Sequence, residues 1–126
     1  MKKINLAITG CLGRMGQQLI KSCETNKNFR LTTLTESRFT NKKFVGITPI
    51  LNTKKTFKKN DVIIDFTIPN CTLKILSIAS KLKKAVVIGT TGFTQKEEAL
   101  IKKFSKKIPI LKAGNMSLGV NLLMYL

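Results

Sequence analysis

Short, uniformly apolar runs alternate along this chain with stretches whose apolar residues recur at three- and four-residue spacing. The first pattern is that of strands buried on both faces, the second that of helices covering them. Residues 4–9 read as a buried strand, and residues 14–26 as a helix with Met15, Leu19, Ile20 and Cys23 on one face. A second strand spans 29–35. Residues 37–60 are polar and lysine-rich apart from the apolar piece at 47–51, which predicts a long connection with at most one irregular strand. Residues 61–66 are a third strand. Asn70 is placed to cap a helix running to about Leu82, with Leu73, Ile75, Leu76, Ala79 and Leu82 facing inward. Residues 85–88 form the next strand, stopped by Gly89. Thr94 and Glu97 have capping-box spacing for a helix through Lys107, and 108–111 is a further short strand. Ser117 stands where it can cap a last helix containing Val120, Leu122, Leu123 and Leu126.

This alternation predicts an α/β fold, a doubly wound parallel sheet of the Rossmann type with helices on both faces. The 126 residues suffice for one domain with a real core, and 43% hydrophobic residues favour a globular fold over disorder. The chain stops inside an apolar stretch, Leu122-Leu123-Met124-Tyr125-Leu126. The expectation is that 1–126 is a single domain and that something should follow Leu126. Apolar helix surface left bare there predicts self-association.

Composition narrows the chemistry. There is no His, which removes the commonest general acid–base and the commonest metal ligand. The three cysteines, Cys11, Cys23 and Cys71, lack metal-ligand spacing, so no metal site is expected. Their odd number, with no signal peptide, points to reduced thiols in a cytoplasm. No apolar run approaches membrane-spanning length. Lys and Arg total 23 against 6 acids, a net charge of +17. That balance reads either as a surface for a polyanion or as a drift toward lysine spread over solvated faces. The positives are 20 lysines and three arginines, scattered from Lys2 to Lys112 without interleaved aromatic residues. Drift is therefore preferred, and no specific nucleic-acid partner is expected.

The candidate chemistry lies at strand ends. Gly10-Cys11-Leu12-Gly13-Arg14-Met15-Gly16 follows a strand and opens a helix, with glycine at every third position. Such a loop brings backbone close to a diphosphate and aims a helix N-terminus at it. The spacing differs from the usual G-x-G-x-x-G, and a plain tight turn is the competing reading. Arg14 can pair with a phosphate there or simply be solvated. Glu36, twenty residues past Gly16, ends the second strand where a carboxylate can accept from ribose hydroxyls, as in NAD binding. Ser37 and Arg38 follow and can hold a 2′-phosphate, so NADH and NADPH both stay open. Asp65-Phe66-Thr67-Ile68-Pro69-Asn70, Gly89-Thr90-Thr91-Gly92-Phe93 and Ala113-Gly114-Asn115-Met116-Ser117-Leu118-Gly119-Val120-Asn121 also leave strand ends. Their small polar residues suit a nicotinamide and its ribose, or are ordinary turn chemistry. Asp65 can equally be a cap on the turn that follows it.

Taken together, Gly10 to Gly16, Asp65-Phe66-Thr67-Ile68-Pro69, Val87-Ile88-Gly89-Thr90-Thr91-Gly92-Phe93 and Asn115 to Asn121 resemble, in order and spacing, the bacterial 4-hydroxy-tetrahydrodipicolinate reductase (dihydrodipicolinate reductase) family. The resemblance implies a cytoplasmic, homotetrameric NAD(P)H-dependent reductase of lysine and diaminopimelate biosynthesis. It implies that Gly10, Cys11, Leu12, Gly13, Arg14, Met15, Glu36, Gly89, Thr90, Thr91, Ala113, Gly114, Asn115 and Met116 line the cofactor. In many members a basic residue directly follows the acid; here that position is Ser37. Ile68 likewise replaces a residue that is often polar. The family's second domain supplies a catalytic acid and binds the cyclic dicarboxylate, and neither its paired histidines nor its Ser-Gly-Thr loop is in this chain. The resemblance thus implies cofactor binding without turnover and no catalytic residue here. A basic nucleic-acid-binding or regulatory module on the same scaffold, and another small Rossmann dehydrogenase, are the alternatives.

Overall fold

The computed structural model describes residues 3–37, 40–53 and 55–112. Its elements run β1 (Ile4–Thr9), α1 (Arg14–Thr25), β2 (Phe29–Thr35), β3 (Val62–Asp65), α2 (Pro69–Leu82), β4 (Ala85–Ile88), α3 (Gln95–Phe104) and β5 (Ile110–Lys112). The strands form one parallel sheet in the order β2-β1-β3-β4-β5. The chain winds from β1 out to β2, then crosses back to β3 on the other side. β1 and β3 therefore flank the point where the winding direction reverses.

Successive side chains on a strand point to opposite faces, so each apolar run feeds two layers. Leu6, Ile8, Val62, Ile64 and Val87 pack with Leu19, Ile20 and Cys23 of α1. Ala7, Ile63, Val86 and Ile88 pack with Ile75, Leu76 and Ala79 of α2 and Ile101 of α3. This is the doubly wound arrangement the alternation predicts. Leu73 and Leu82 are only partly buried, and Thr72 joins the buried face of α2 in their place.

Several boundaries differ from expectation. α2 is not capped by Asn70. It starts with Pro69, two residues before the start an Asn70 cap would give; the fixed φ and missing N–H of proline suit the first helical position, and Ile68 is the extended residue before it. Residues 47–51 form no strand: Ile50 makes a single bridge to Thr35 on the outer edge of β2, and Phe44 bridges Ile47. α3 ends at Phe104, and the Thr94–Glu97 capping box forms in both directions. β5 pairs from Ile110 rather than 108 because Pro109 has no N–H to donate; its carbonyl accepts from the Val86 amide at 3.0 Å. The proposed last helix lies outside the described residues.

Candidate functional site

The carboxyl ends of the strands line up. Thr9 of β1 is in register with both Thr35 and Asp65, Asp65 with Ile88, and Ile88 with Lys112. The residues that follow open along one edge of the sheet, where ligands of open α/β sheets sit.

The glycine loop leaves β1 through Gly10, whose φ of +68° is a left-handed conformation that other residues resist. The amides of Gly10 and Cys11 both donate to the Thr35 carbonyl, at 3.0 and 3.2 Å, and Gly13 donates to the Gly10 carbonyl at 3.1 Å. Leu12 donates its amide to Glu36 Oε2 at 3.0 Å. All four loop amides are thus held within the protein. The free donors begin one step later: Gly13 is the N-cap of α1, it makes no side-chain cap, and the first helical hydrogen bond is Gln17 to Gly13. The first-turn amides of Arg14, Met15 and Gly16 therefore lack helical acceptors and form the positive end of the helix dipole.

The glycines serve different ends. A Cβ on Gly16 would lie 2.4 Å from the Gly10 carbonyl oxygen, so its absence lets the helix start sit on the loop. A Cβ on Gly13 would meet nothing nearer than 3.4 Å. The fold does not require glycine there, and the open space in front of it is what a closely approaching ligand needs.

Glu36 stands at this loop. Besides the Leu12 amide on Oε2, its Oε1 accepts from the Ser37 amide at 2.9 Å. It lines a cavity of about 390 Å³ with Leu12, Gly13, Asn52, Ile68 and Cys71. A second hollow of about 250 Å³ lies between Arg14 and Met15 on one side and Gly89, Thr90 and Thr91 on the other. Gly13, Phe66 and Thr67 line both. A third, of about 290 Å³, continues past Thr90 and Thr91 to Phe93 and Lys112, where Lys112 pairs with Glu98 at 2.6 Å. The crevice therefore runs the width of the sheet edge, a shape for an extended ligand.

Asp65 lies beneath this crevice with none of its surface exposed. Oδ1 accepts from Thr9 Oγ1 at 2.5 Å and Thr67 Oγ1 at 2.8 Å; Oδ2 accepts from Thr72 Oγ1 and from Thr90 Oγ1 at 3.1 Å. Thr90 Oγ1 in turn accepts from the Thr67 amide at 2.8 Å. Asp65 is thus more than a turn cap, because it ties β1, two loops and α2 together. Cys11 is also fully buried, and its thiol is pushed up to about 11, chiefly by burial and then by the Glu36 charge. Its side chain faces the core under α1 and not the crevice.

Of the residues singled out from the sequence, Gly10, Leu12, Gly13, Arg14, Met15, Glu36, Gly89, Thr90 and Thr91 meet along the crevice. Arg38, Ala113, Gly114, Asn115 and Met116 lie outside the described residues. Asn52 and Cys71 line it without having been expected. Asn52 sits in the long connection, where nothing in the local pattern signals proximity to the loop; its Nδ2 donates to Cys71 Sγ at 3.7 Å. Among the described residues no group of three or more Cys, Asp or Glu gathers as a metal site, and no helix is long and apolar enough to cross a membrane.

A sequence model of the family described as "Dihydrodipicolinate reductase, N-terminus" matches residues 4–116. The chain belongs to the dihydrodipicolinate reductase family. It corresponds to that family's N-terminal domain, the part that binds NAD(P)H. Among curated relatives, the 4-hydroxy-tetrahydrodipicolinate reductase of Pelagibacter ubique strain HTCC1062 is 79% identical over 126 residues, which is all of this chain and 49% of that protein. The enzyme of the same name from Buchnera aphidicola subsp. Acyrthosiphon pisum strain 5A is 43% identical over 136 residues, covering 99% of this chain and 51% of that one. The chain thus spans about half the length of the curated relatives it matches. Among solved structures, the dipicolinate-bound dihydrodipicolinate reductase of Paenisporosarcina sp. TG-14 superposes with a TM-score of 0.77 at 24% identity, over 98% of this chain and 51% of that one. Homoserine dehydrogenase of S. aureus superposes at 0.73 and 18% identity, over 90% and 33%. These two likenesses establish the fold.

Proposed function

We propose that this chain is the cofactor-holding part of a 4-hydroxy-tetrahydrodipicolinate reductase and binds NADH or NADPH along the crevice. The observation that carries this reading is the Leu12–Glu36 contact beside an uncapped helix start, at the place where the sheet reverses its winding. The amides of Arg14, Met15 and Gly16, with the Arg14 guanidinium, receive the diphosphate. Glu36 accepts from the adenosine ribose hydroxyls, and the cavity beyond it, walled by Leu12 and Ile68, takes the base. Gly89, Thr90 and Thr91 receive the nicotinamide end. Ala113, Gly114, Asn115 and Met116 complete the set by resemblance to the family.

When bound, the dinucleotide supplies a hydride for a cyclic unsaturated dicarboxylate. This chain's residues bind and orient it, so that the ring is held within near-attack range of substrate. With no histidine, the chain lacks the usual general acid, and turnover is assigned to the longer protein, a cytoplasmic homotetramer by resemblance. Glu36 favours NADH, because a 2′-phosphate would place charge against its carboxylate. Titrating the chain with NADH and NADPH and following cofactor fluorescence tests the reading. Saturable binding of NADH, tighter than that of NADPH, is expected; a folded sample that binds neither would overturn it.

A further inference from the structure

Asp65 is a carboxylate with every acceptor position filled and, among the described residues, no cation paired with it. A carboxylate offers about four lone-pair positions, and here four threonine hydroxyls occupy them. Each hydroxyl can turn its O–H toward a carboxylate oxygen, so the set matches the needs of an ionised group. Among the described residues the one ion pair is Lys112–Glu98, so no cation pairs with Asp65 and hydroxyl dipoles are its partners. A carboxylate is costly to bury in this way, and hydrophobic packing of the sheet gives no reason for it.

Its position gives one. Asp65 ends β3, in register with Thr9 on one side and Ile88 on the other. Two of its four donors, Thr67 and Thr90, line the hollow between Arg14 and Thr91. The charge therefore sits one hydroxyl behind the wall assigned above to the nicotinamide end.

We propose that Asp65 is a positioning residue that fixes Thr67 and Thr90 on the crevice wall and biases the bound dinucleotide toward its oxidised form. The inference rests on the cofactor reading. NAD⁺ and NADH share the same diphosphate, riboses and adenine; they differ in the positive charge on the nicotinamide ring. A fixed negative charge beneath the ring favours the cationic form, and acts on the rest of the two ligands equally. The ratio of the two affinities thus isolates Asp65's charge from any general effect on the site.

The experiment measures dissociation constants for NAD⁺ and NADH with the unaltered chain and with Asp65→Asn, Asp65→Ser and Asp65→Glu, each checked for cooperative thermal unfolding. The amide of Asp65→Asn can donate to hydroxyls that now turn to accept, so that variant keeps the shape of the cluster. Both neutral variants are expected to weaken NAD⁺ relative to NADH by about threefold to tenfold. Asp65→Glu is expected to keep the parent ratio even if both affinities fall. An unchanged ratio in the neutral variants, a shift the other way, or a ratio lost equally in Asp65→Glu overturns the proposal. So does failure of both neutral variants to fold, which would make Asp65 a determinant of the fold alone. If the unaltered chain binds neither dinucleotide, it is the cofactor reading that fails.

Discussion

Gly13 and Gly89 both border the crevice, yet a side chain would meet different things at each. A Cβ on Gly89 would stand 1.7 Å from the Phe66 ring, so Gly89→Ala must displace that ring from the base of the site. Overpacking of this kind costs about 1–3 kcal/mol, and the loss is expected in urea unfolding of the free chain. Gly13 has φ of −74°, which other residues adopt, and a Cβ there meets nothing nearer than 3.4 Å; Gly13→Val, a poorer N-cap, is expected to lose only about 1 kcal/mol of stability. Its added bulk stands where the diphosphate is proposed to approach, and NADH affinity is expected to fall at least about tenfold, which is about 1.4 kcal/mol. Normal NADH binding by Gly13→Val would show that the ligand does not pass this glycine. Glu36 is tested by the same titration. Glu36→Ala removes the acceptor of the Leu12 amide and, in the proposed binding mode, of the ribose hydroxyls, and NADH binding is expected to weaken by about 1.5–3 kcal/mol. NADPH, which gains relief from repulsion, is expected to lose less, so the preference between the two narrows.

The helices and strands carry predictions of their own. On α1, burial pushes the Cys23 thiol from 9.0 up to about 11. The folded state therefore holds the neutral thiol more tightly than the unfolded chain does. That contribution is fully present below pH 9 and is lost as pH rises from 9 through 11. Each thiol shifted this far is worth about 2–3 kcal/mol at the top of that range. Unfolding free energies of the parent and of Cys23→Ala, measured from pH 8 to 11, are expected to converge as pH rises; parallel curves would remove Cys23 from the account. The elements themselves were legible where periodicity and punctuation agree. Thr94 and Glu97 announce α3, and the short β-branched run Val62, Ile63 and Ile64 reads as a strand covered on both faces. The start of α2 was misread because Asn70 is a good cap by type, whereas Pro69 beside it is already fixed in helical φ. Phe57 sits in a lysine-rich stretch, and nothing local shows that it is fully buried under the second layer. Asp65 was legible as a turn residue but not as a hub, since Thr9, Thr67, Thr72 and Thr90 come from separate segments that only the sheet register brings together.

At the scale of the whole molecule, the question is what +17 charges do for a domain that holds a dianionic cofactor. The lysines are spread over both layers and the connections, whereas the crevice itself presents Arg14 at the helix start and Lys112 engaged with Glu98. The field is then long-range and unspecific: it raises the local concentration of any anion, and the crevice selects the dinucleotide. Salt separates the two contributions, because screening reaches about 30 Å at 0.01 M but only about 8 Å at 0.15 M. Raising salt across that range is expected to slow NADH association several-fold while leaving dissociation nearly unchanged, as stopped-flow cofactor fluorescence would read. Duplex DNA gives the contrast. Its attraction to scattered lysines is expected to be blind to sequence and to fall by orders of magnitude over the same range. DNA binding that persists at 0.15 M salt and differs between sequences would mean that the basic surface is a built interface, and the charge would then need a function apart from the crevice.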